Sequence, residues 1–268
     1  MATVKITKVE IQKKNKKRYS LYFNEEYAFG VEEETLIKFG LFKGTELTNE
    51  EIKKIQKEDE KNRAVGLAIR FLARQLRTEK EVRQKLLKEE IGEETIVQVI
   101  ERLKEMGYLN DGFYAEAFTN TTKAVSRKGP KVVAMELKKK GVESEKIDAA
   151  LDDYSLEEQV SNALEIAQKY INRQNAVSEK IAKQKVHVFL MQKGYGSEVI
   201  QLVMQELSFE NQADREQEIL AKQADKIERR HSRKLKGNQL KYKVKQALYQ
   251  KGFSQESIEE YIETREWE

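Results

Sequence analysis

The chain has 268 residues, and its 50 lysines and arginines against 46 aspartates and glutamates give a formal net charge of +4. Charged residues make up 36% of it, against ~25% in an ordinary globular domain, so we expect several small cores rather than one large core. Cysteine is absent and no apolar run approaches the ~18 residues of a membrane span, which excludes disulfides and thiolate metal sites and predicts a cytoplasmic protein with no membrane partner.

The first 61 residues predict a small β-rich extension with short helices. Alternating apolar residues predict strands within residues 3–31, with a basic hairpin turn centred on Asn15. A short helix over residues 33–39 is expected to end at Gly40. Thr48 and Glu51 then form a capping box, which begins a second helix that we expect to run through Lys61.

The remainder of the chain contains a repeated pattern. Each copy has a leucine, a Lys-Gly pair, an apolar residue, a short polar turn and an isoleucine, and the copies span residues 137–151, 190–204 and 248–262. Gly141, Gly194 and Gly252 are predicted to end a helix in the left-handed conformation. A weaker copy, residues 86–100, has Glu90 at the glycine position, so we expect its loop to be built differently.

Apolar spacing around these turns predicts three helices per copy. A valine lies eight residues before each turn position: Val82, Val133, Val186 and Val244. The predicted units are residues 62–110, 111–155, 156–210 and 211–268. Because units of about 50 residues have small cores, they are expected to stack. The predicted fold class is mainly α, with tandem three-helix repeats in an elongated curved array and a small β-rich N-terminal extension.

No catalytic or metal-binding motif is recognisable in the sequence. Its two histidines are isolated: His187 is expected to be a packing residue and His231 a surface group. Carboxylates alternate with lysines and arginines at helix-pair spacing, which is typical of a solvated helix face. We therefore expect no enzyme activity, cofactor or metal.

Basic residues concentrate near the C-terminal end. Between Lys222 and Lys251, eleven lysines and arginines face only Asp225 and Glu228. Such a patch favours a polyanionic partner, either nucleic acid or an acidic protein surface, and the alternative is a solvated helix face with no partner.

The stretch from Tyr108 to Val142 resembles the most characteristic part of the RecX family of recombination regulators. Its matching positions are Leu109, Asp111, Tyr114 and Ala115, then Lys128, Gly129 and Pro130, then Glu136, Leu137, Lys140 and Gly141. The segment from Tyr27 to Leu47 also resembles the N-terminal extension of the Gram-positive members.

This resemblance implies a monomeric, non-enzymatic regulator in homologous recombination, DNA repair and the SOS response. Such a protein binds the RecA recombinase, lodges in the groove of the RecA–DNA filament and limits its growth, which lowers strand exchange, ATP hydrolysis and coprotease activity. Single- or double-stranded DNA is a further expected partner. The alternatives are a sequence-independent DNA-binding helical repeat protein, a scaffold for another acidic protein, and an enzyme of unrecognised type.

Basic side chains are the expected contacts to RecA or DNA. Arg70, Arg74 and Arg77 are predicted to form one stripe on a helix. The other candidates are Arg127, Lys128, Lys131, Lys138, Lys139, Lys140, Arg229, Arg230, Arg233 and Lys234. Phe113 and Tyr114 are expected to be core anchors.

Overall fold

An antiparallel sheet forms the start of the chain in the computed structural model, which describes residues 3–13, 15–173, 177–208, 216–265 and 267. Its strands are β1 (Thr3–Ile11), β2 (Arg18–Phe23), β3 (Glu26–Glu32) and β4 (Glu46–Thr48), in the spatial order β3-β2-β1-β4. The predicted hairpin turn is confirmed, because the Asn15 carbonyl accepts the Arg18 amide at 3.0 Å. The strand β4 was not predicted, since three residues are too few to show alternation.

Two helices pack with this sheet, α1 (Glu33–Lys38) and α2 (Asn49–Leu72). The capping box at the start of α2 is confirmed: Thr48 Oγ1 accepts the Glu51 amide at 3.3 Å, and a Glu51 carboxylate oxygen accepts the Thr48 amide at 2.8 Å. The predicted end at Lys61 is wrong. No proline interrupts the chain there, so α2 continues for eleven more residues, from the core of the sheet to the core of the first repeat.

The remaining elements are helices joined by short turns. They are α3 (Glu79–Lys88), α4 (Glu93–Glu105), α5 (Asp111–Thr121), a π-helical turn (Thr122–Ser126), α6 (Pro130–Lys139), α7 (Ser144–Asp152), α8 (Leu156–Ile171), α9 (Glu179–Gln192), α10 (Ser197–Glu206), α11 (Glu216–His231), α12 (Gly237–Gln250) and α13 (Gln255–Glu263). The predicted fold class is confirmed as mainly α, with tandem three-helix repeats and a small N-terminal sheet. Separate apolar cores lie within the sheet region and the first, third and fourth repeats.

These elements group into two compact units. One unit comprises Met1–Ala115 and Leu137–Ile147, and the other comprises Glu116–Glu136 and Asp148–Glu268. The helices α5, α6 and α7 of the second repeat therefore contribute residues to both units.

The repeated turn has the same geometry in all four copies. Gly141, Gly194 and Gly252 have φ angles of 87°, 92° and 83°, and Glu90 has a φ angle of 60°. The amide after each turn position donates to the leucine carbonyl five residues earlier: Ile91 to Leu86, Val142 to Leu137, Tyr195 to Leu190 and Phe253 to Leu248, at 3.2, 3.2, 3.2 and 3.4 Å. The expectation that Glu90 changes the loop is therefore wrong, because the left-handed conformation is reached here by a residue other than glycine.

Within the first unit, the glycine turn at the end of α6 packs against the start of α3. The Thr78 hydroxyl accepts the Glu81 amide at 3.3 Å, which caps α3, and donates to the Lys140 carbonyl at 2.7 Å. A β-carbon at Gly141 would lie 2.7 Å from the Cβ of Lys80. The glycine is therefore required by this close contact as well as by its φ angle.

The second unit contains the same kind of junction twice. At the start of α6, the Gly129 amide donates to the Lys193 carbonyl at 2.8 Å, and a β-carbon at Gly129 would lie 2.5 Å from the Gly194 carbonyl. At the start of α9, the Ser178 hydroxyl donates to the Lys251 carbonyl at 2.9 Å. In each junction the middle helix of one repeat begins where the middle helix of the following repeat ends.

Candidate functional site

The three arginines of the first repeat do not form a helical stripe. Only Arg70 lies on α2, Arg74 lies in the turn that follows, and Arg77 lies in the segment before α3. The guanidinium of Arg77 stacks over the Phe71 ring with its carbon 4.3 Å from the ring centroid. The predicted stripe is wrong because Thr78 caps α3, and a capping residue cannot continue the preceding helix.

Two of the three candidates around the start of α6 are held in ion pairs. The Arg127 Nε donates to a Glu165 carboxylate oxygen at 2.7 Å, and Lys128 donates to both oxygens of Glu136 at 2.7 and 2.9 Å. Lys131 is exposed and has no ion pair with a described residue. Arg127 and Lys128 therefore stabilise the start of α6, and Lys131 is the member of this group available to a partner.

Of the three lysines at the end of α6, one is held in an ion pair and two are exposed. Lys140 pairs with Glu81 at 2.9 Å, and its ammonium lies 5.4 Å from the centre of the Tyr114 ring. Burial alone would raise the pKa of the Glu81 carboxyl, but hydrogen bonds from Lys140 and from the Thr78 backbone lower that pKa. Lys138 and Lys139 are exposed. Lys140 therefore belongs to the junction with α3, and its two neighbours face solvent.

The fourth repeat has the densest group of uncompensated cations. Two of its members, Arg229 and Arg230, lie in the last turn of α11. The other two, Arg233 and Lys234, lie in the turn that follows the helix. The two carboxylates within this basic tract, Asp225 and Glu228, both pair with Arg265, at 2.7 and 2.9 Å. Because both carboxylates pair with Arg265, the four candidates have no ion pair with a described residue.

A groove between α11 and α12 extends this positive surface. It has a volume of about 410 Å³, and its lining residues include Lys226, Arg230, His231 and Lys251 but no carboxylate. Gln223 and Gln250 complete its polar lining. A concave site with cations and amides and no anion is suited to phosphate or carboxylate groups of a partner.

The motif that begins at Leu109 has a structural role. A carboxylate oxygen of Asp111 accepts the Glu79 amide at the start of α3 at 2.9 Å, and burial raises the pKa of Asp111. Tyr114 is buried at 8% exposure, as predicted, whereas Phe113 is 56% exposed and its predicted core role is wrong. Adjacent helical residues point about 100° apart, so only one of the two rings faces the core.

The two histidines lie on different helices, α9 and α11. His187 is exposed on α9, so its predicted packing role is wrong, and His231 lines the groove between α11 and α12. Within the described residues, no group of three or more His, Cys, Asp or Glu side chains is arranged to hold a metal ion. In that same part of the chain, every helix is too short or too polar to cross a membrane.

Two exposed tyrosines adjoin the basic surface and were not among the predicted contacts. Tyr242 and Tyr249 lie on α12 and are 69% and 67% exposed. Their seven-residue spacing within a lysine-rich segment is visible in the sequence. The repeat pattern predicts only the buried positions of a helix, so it does not indicate these two exposed rings.

Family comparisons cover nearly the whole chain. The RecX N-terminal domain model matches residues 4–48, the first three-helix domain model residues 64–103, and the second residues 110–151. The third three-helix domain model matches twice, over residues 157–204 and 214–262.

Proteins similar in sequence or in structure are also named RecX. The chain is 38% identical to a regulatory protein RecX of Listeria welshimeri, over 98% of this chain and 97% of the relative, and 37% identical to that of Bacillus subtilis, over 98% and 99%. A crystal structure of a regulatory protein RecX covers 75% of this chain and 98% of its own at 34% identity with a TM-score of 0.64. That of RecX from Lactobacillus salivarius covers 56% and 97% at 34% identity with a TM-score of 0.54.

Proposed function

This chain belongs to the RecX family of regulatory proteins, and we propose that it acts by binding the filament that a RecA recombinase forms on DNA and by restraining that filament. In this proposal it limits filament growth and so lowers ATP hydrolysis, strand exchange and coprotease activity. It performs no chemistry of its own, and its effect comes from the partner that it holds.

The distribution of unpaired cations supports a polyanionic partner. Arg127, Lys128 and Lys140 are used within the fold, and Arg77 stacks on an aromatic ring. The remaining candidates have no ion pair with a described residue and are Arg70, Arg74, Lys131, Lys138, Lys139, Arg229, Arg230, Arg233 and Lys234. They occur in three of the four repeats, so a partner with a repeating surface could be held at several places, which raises avidity without a strong single contact.

The single observation on which the proposal depends most is the cation group at the end of α11. Elsewhere many surface lysines and arginines have a carboxylate within 3 Å, as with Lys169 and Glu165 at 2.6 Å, and gain little from a partner. At Arg229, Arg230, Arg233 and Lys234 the nearest sequence carboxylates are taken by Arg265. A positive surface of this kind attracts DNA phosphates or an acidic protein groove.

The test is the rate of ATP hydrolysis by RecA on single-stranded DNA. We expect the full chain to lower that rate at well below one molecule per RecA, because limiting growth at a filament end affects many protomers. A rate that is unchanged at equimolar protein refutes the proposal. If naked DNA is bound in that case, the protein is a DNA-binding repeat protein instead.

Two variants that each lose four positive charges distinguish the effect of the α11 cation group from the effect of a lower net charge. Neutralising the group with Arg229→Gln, Arg230→Gln, Arg233→Gln and Lys234→Gln lowers the formal charge by four, and we expect most of the inhibition to be lost. The control neutralises four lysines held in surface ion pairs, Lys38, Lys57, Lys146 and Lys169. We expect it to inhibit like the natural chain, and equal losses in both variants would refute a specific role for the α11 group.

A further inference from the structure

The strand β1 is paired along only part of one of its edges. On one side β2 pairs with it to its last residue. On the other side β4 pairs with Thr3–Lys5, and the loop before β4 adds bonds at the next residue. There the Ile6 amide donates to the Thr45 carbonyl at 2.9 Å, and the Ile6 carbonyl accepts the Gly44 amide at 2.8 Å. Among the described residues, residues 7–11 therefore have no neighbouring strand on the β4 side, which leaves an open edge of roughly 17 Å.

The backbone groups of Val9 and Ile11 point to this open edge. Successive residues of a strand direct their amide and carbonyl groups to opposite edges. The Gln12 amide donates to the Arg18 carbonyl at 2.9 Å, so Gln12 and, two residues earlier, Glu10 face β2. Val9 and Ile11 face the other way, where no loop within the described residues bonds to them. Two amides and two carbonyls are therefore available to a further strand.

The outer edge of β3, at the far side of the sheet, is covered by side chains. The Gly30 carbonyl accepts Arg18 Nη2 at 2.8 Å, and the Glu32 amide donates to Asp59 Oδ1 at 2.5 Å. Arg18 and Asp59 also pair with each other at 3.0 Å. Such cover prevents another chain from pairing with β3. The open edge of β1 has no such cover in the part of the chain that the structure describes.

The side chains of β1 leave its open edge accessible. A lysine often blocks an edge strand, but the Lys8 ammonium pairs with Glu10 at 2.7 Å and lies 5.3 Å from the centre of the Tyr22 ring on β2. It is therefore directed back over the sheet. Val9 packs partly against the core of the sheet, and Ile11, on the same face, is 58% exposed. An added strand with apolar residues on this face would cover Ile11.

Cations without a partner adjoin one end of this open edge. The hairpin turn that follows β1 carries Lys13, Lys16 and Lys17, which are exposed and have no ion pair with a described residue. Residues 11–24 contain no aspartate or glutamate, so no carboxylate of the hairpin can neutralise these lysines. An acidic segment that extends along the edge to the turn would therefore be attracted to it.

We infer that the open edge of β1 accepts an extended segment of a partner protein as an added antiparallel strand, with carboxylates of that segment beside the lysines of the turn. Main-chain hydrogen bonds supply the affinity of such strand addition, and alternate side chains supply its specificity. In the antiparallel direction the residues that precede the added strand lie beside the turn. The fitting segment is therefore an acidic stretch followed by alternating apolar residues. Nucleic acid could use the lysines, but it has no peptide groups to continue the sheet.

This inference goes beyond the proposed function, because strand addition requires no filament. The test uses the full chain and the peptide Glu-Glu-Glu-Val-Thr-Val-Thr, labelled with fluorescein at its C-terminal end, in fluorescence anisotropy at low salt. We expect saturable binding. A peptide with three lysines in place of the glutamates should bind at least about tenfold more weakly, because the turn repels it.

Methylation of alternate peptide amides tests for strand pairing directly. Valines opposite Val9 and Ile11 would direct their amides to β1, and the threonines would direct theirs to solvent. A peptide with both valine amides N-methylated loses two hydrogen bonds and should bind at least about 25-fold more weakly, at roughly fivefold for each bond. A peptide with both threonine amides N-methylated should bind within about threefold of the unmodified one.

A proline at position 11 removes one of the edge amides from the protein. The Ile11 amide is not bonded to β2, so proline is compatible with the edge strand. We expect Ile11→Pro to weaken binding at least about fivefold. The control Ile11→Val keeps the amide and should bind within about twofold of the natural chain. Circular dichroism and urea unfolding report whether each variant is folded.

Neutralising the turn tests the electrostatic part. We expect Lys13→Gln, Lys16→Gln and Lys17→Gln together to weaken binding of the acidic peptide about 5- to 10-fold and to remove most of its salt dependence. The control neutralises Lys38, Lys57 and Lys146, which are held in surface ion pairs, and should change binding by less than about twofold.

Four results would overturn the inference. They are no binding of the acidic peptide up to about 0.5 mM, equal binding of the two methylated peptides, equal binding by the folded proline variant, and equally effective displacement of the peptide by oligothymidylate. A dimer of the natural chain that Ile11→Pro converts to a monomer in sedimentation would also overturn it, in favour of a second copy at this edge. Inhibition of RecA is measured separately, so its absence refutes the proposed function and leaves this inference to the peptide measurements.

Discussion

Replacing Gly141 with alanine tests the junction between the end of α6 and the start of α3. Gly141 has a φ angle of 87°, and an added β-carbon would lie 2.6 and 2.7 Å from the Cδ and Cβ of Lys80. The Cδ can move with its side chain, but the Cβ is fixed to the first turn of α3. The helix end must therefore shift, and the 2.7 Å hydrogen bond from Thr78 to the Lys140 carbonyl shifts with it.

Three costs contribute to the expected loss of stability. The left-handed conformation costs an alanine about 1–2 kcal/mol. Overpacking against Lys80 costs about 1–3 kcal/mol. Weakening the Thr78 hydrogen bond costs about 1 kcal/mol. We therefore expect Gly141→Ala to lower the free energy of unfolding by about 3–6 kcal/mol.

Gly107 and Gly44 provide controls within the same unit. Their φ angles of 74° and 99° bracket that of Gly141, and nothing lies within 4 Å of an added β-carbon at either position. Gly107→Ala and Gly44→Ala should therefore carry only the conformational cost of about 1–2 kcal/mol.

The assay is urea and thermal unfolding followed by circular dichroism at 222 nm. For a unit of this size, 1 kcal/mol corresponds to roughly 3–5 °C in Tm, so an excess cost of about 2–4 kcal/mol should make Gly141→Ala melt about 6–20 °C below the controls. If Gly141→Ala unfolds within about 0.5 kcal/mol of Gly107→Ala, the junction imposes no steric demand and the reasoning is wrong.

Three further predictions concern single side chains. Glu90→Gly should stabilise the protein by about 0.5–1 kcal/mol in urea unfolding, because glycine adopts the φ angle of 60° without strain; a loss of stability would contradict this. Phe113→Ala should change the unfolding free energy by less than about 0.5 kcal/mol and Tyr114→Ala by about 3 kcal/mol; similar values would contradict the assignment of one ring to solvent and one to the core. Burial raises the pKa of Asp111 in the folded state, so the stability linked to its protonation is present below the unfolded pKa of about 3.9 and is lost as pH rises through the folded pKa. Asp111→Asn should remove this dependence, so the stability of the natural chain relative to the variant should fall as pH rises above about 4 in urea unfolding; a constant difference would contradict it.

The repeat and its buried positions could be predicted from the sequence, because both depend on the local pattern of residues. The valines before each turn are fully buried, and glycine indicated three of the four turns correctly. The loop prediction at Glu90 is wrong because glycine is preferred at this turn position but is not required there. The close contact at Gly141 and Gly129 depends on a neighbouring repeat, which local pattern does not contain.

Which of the predicted contact residues are held in ion pairs could not be predicted from the sequence, because charge alone does not indicate a partner. Arg127 and Lys140 looked like surface cations, but their partners, Glu165 and Glu81, are 38 and 59 residues away along the chain. The arginine stripe failed for a reason that the sequence does contain. Thr78 and Glu81 form a second capping box, and recognising it would have ended α2 before Arg77.

The glutamate at position 90 affects where a further repeat of this type could be joined to the chain. At the ends of α6, α9 and α12, the missing β-carbon of Gly141, Gly194 and Gly252 leaves room for the start of the preceding repeat's middle helix. The end of α3 has a glutamate instead, whose β-carbon would occupy that room. A duplicated repeat inserted ahead of α3 would therefore not join by the same contact, whereas duplicates of the glycine-ended repeats could follow it. The residue at this one turn position thus distinguishes the first repeat from the three that follow it.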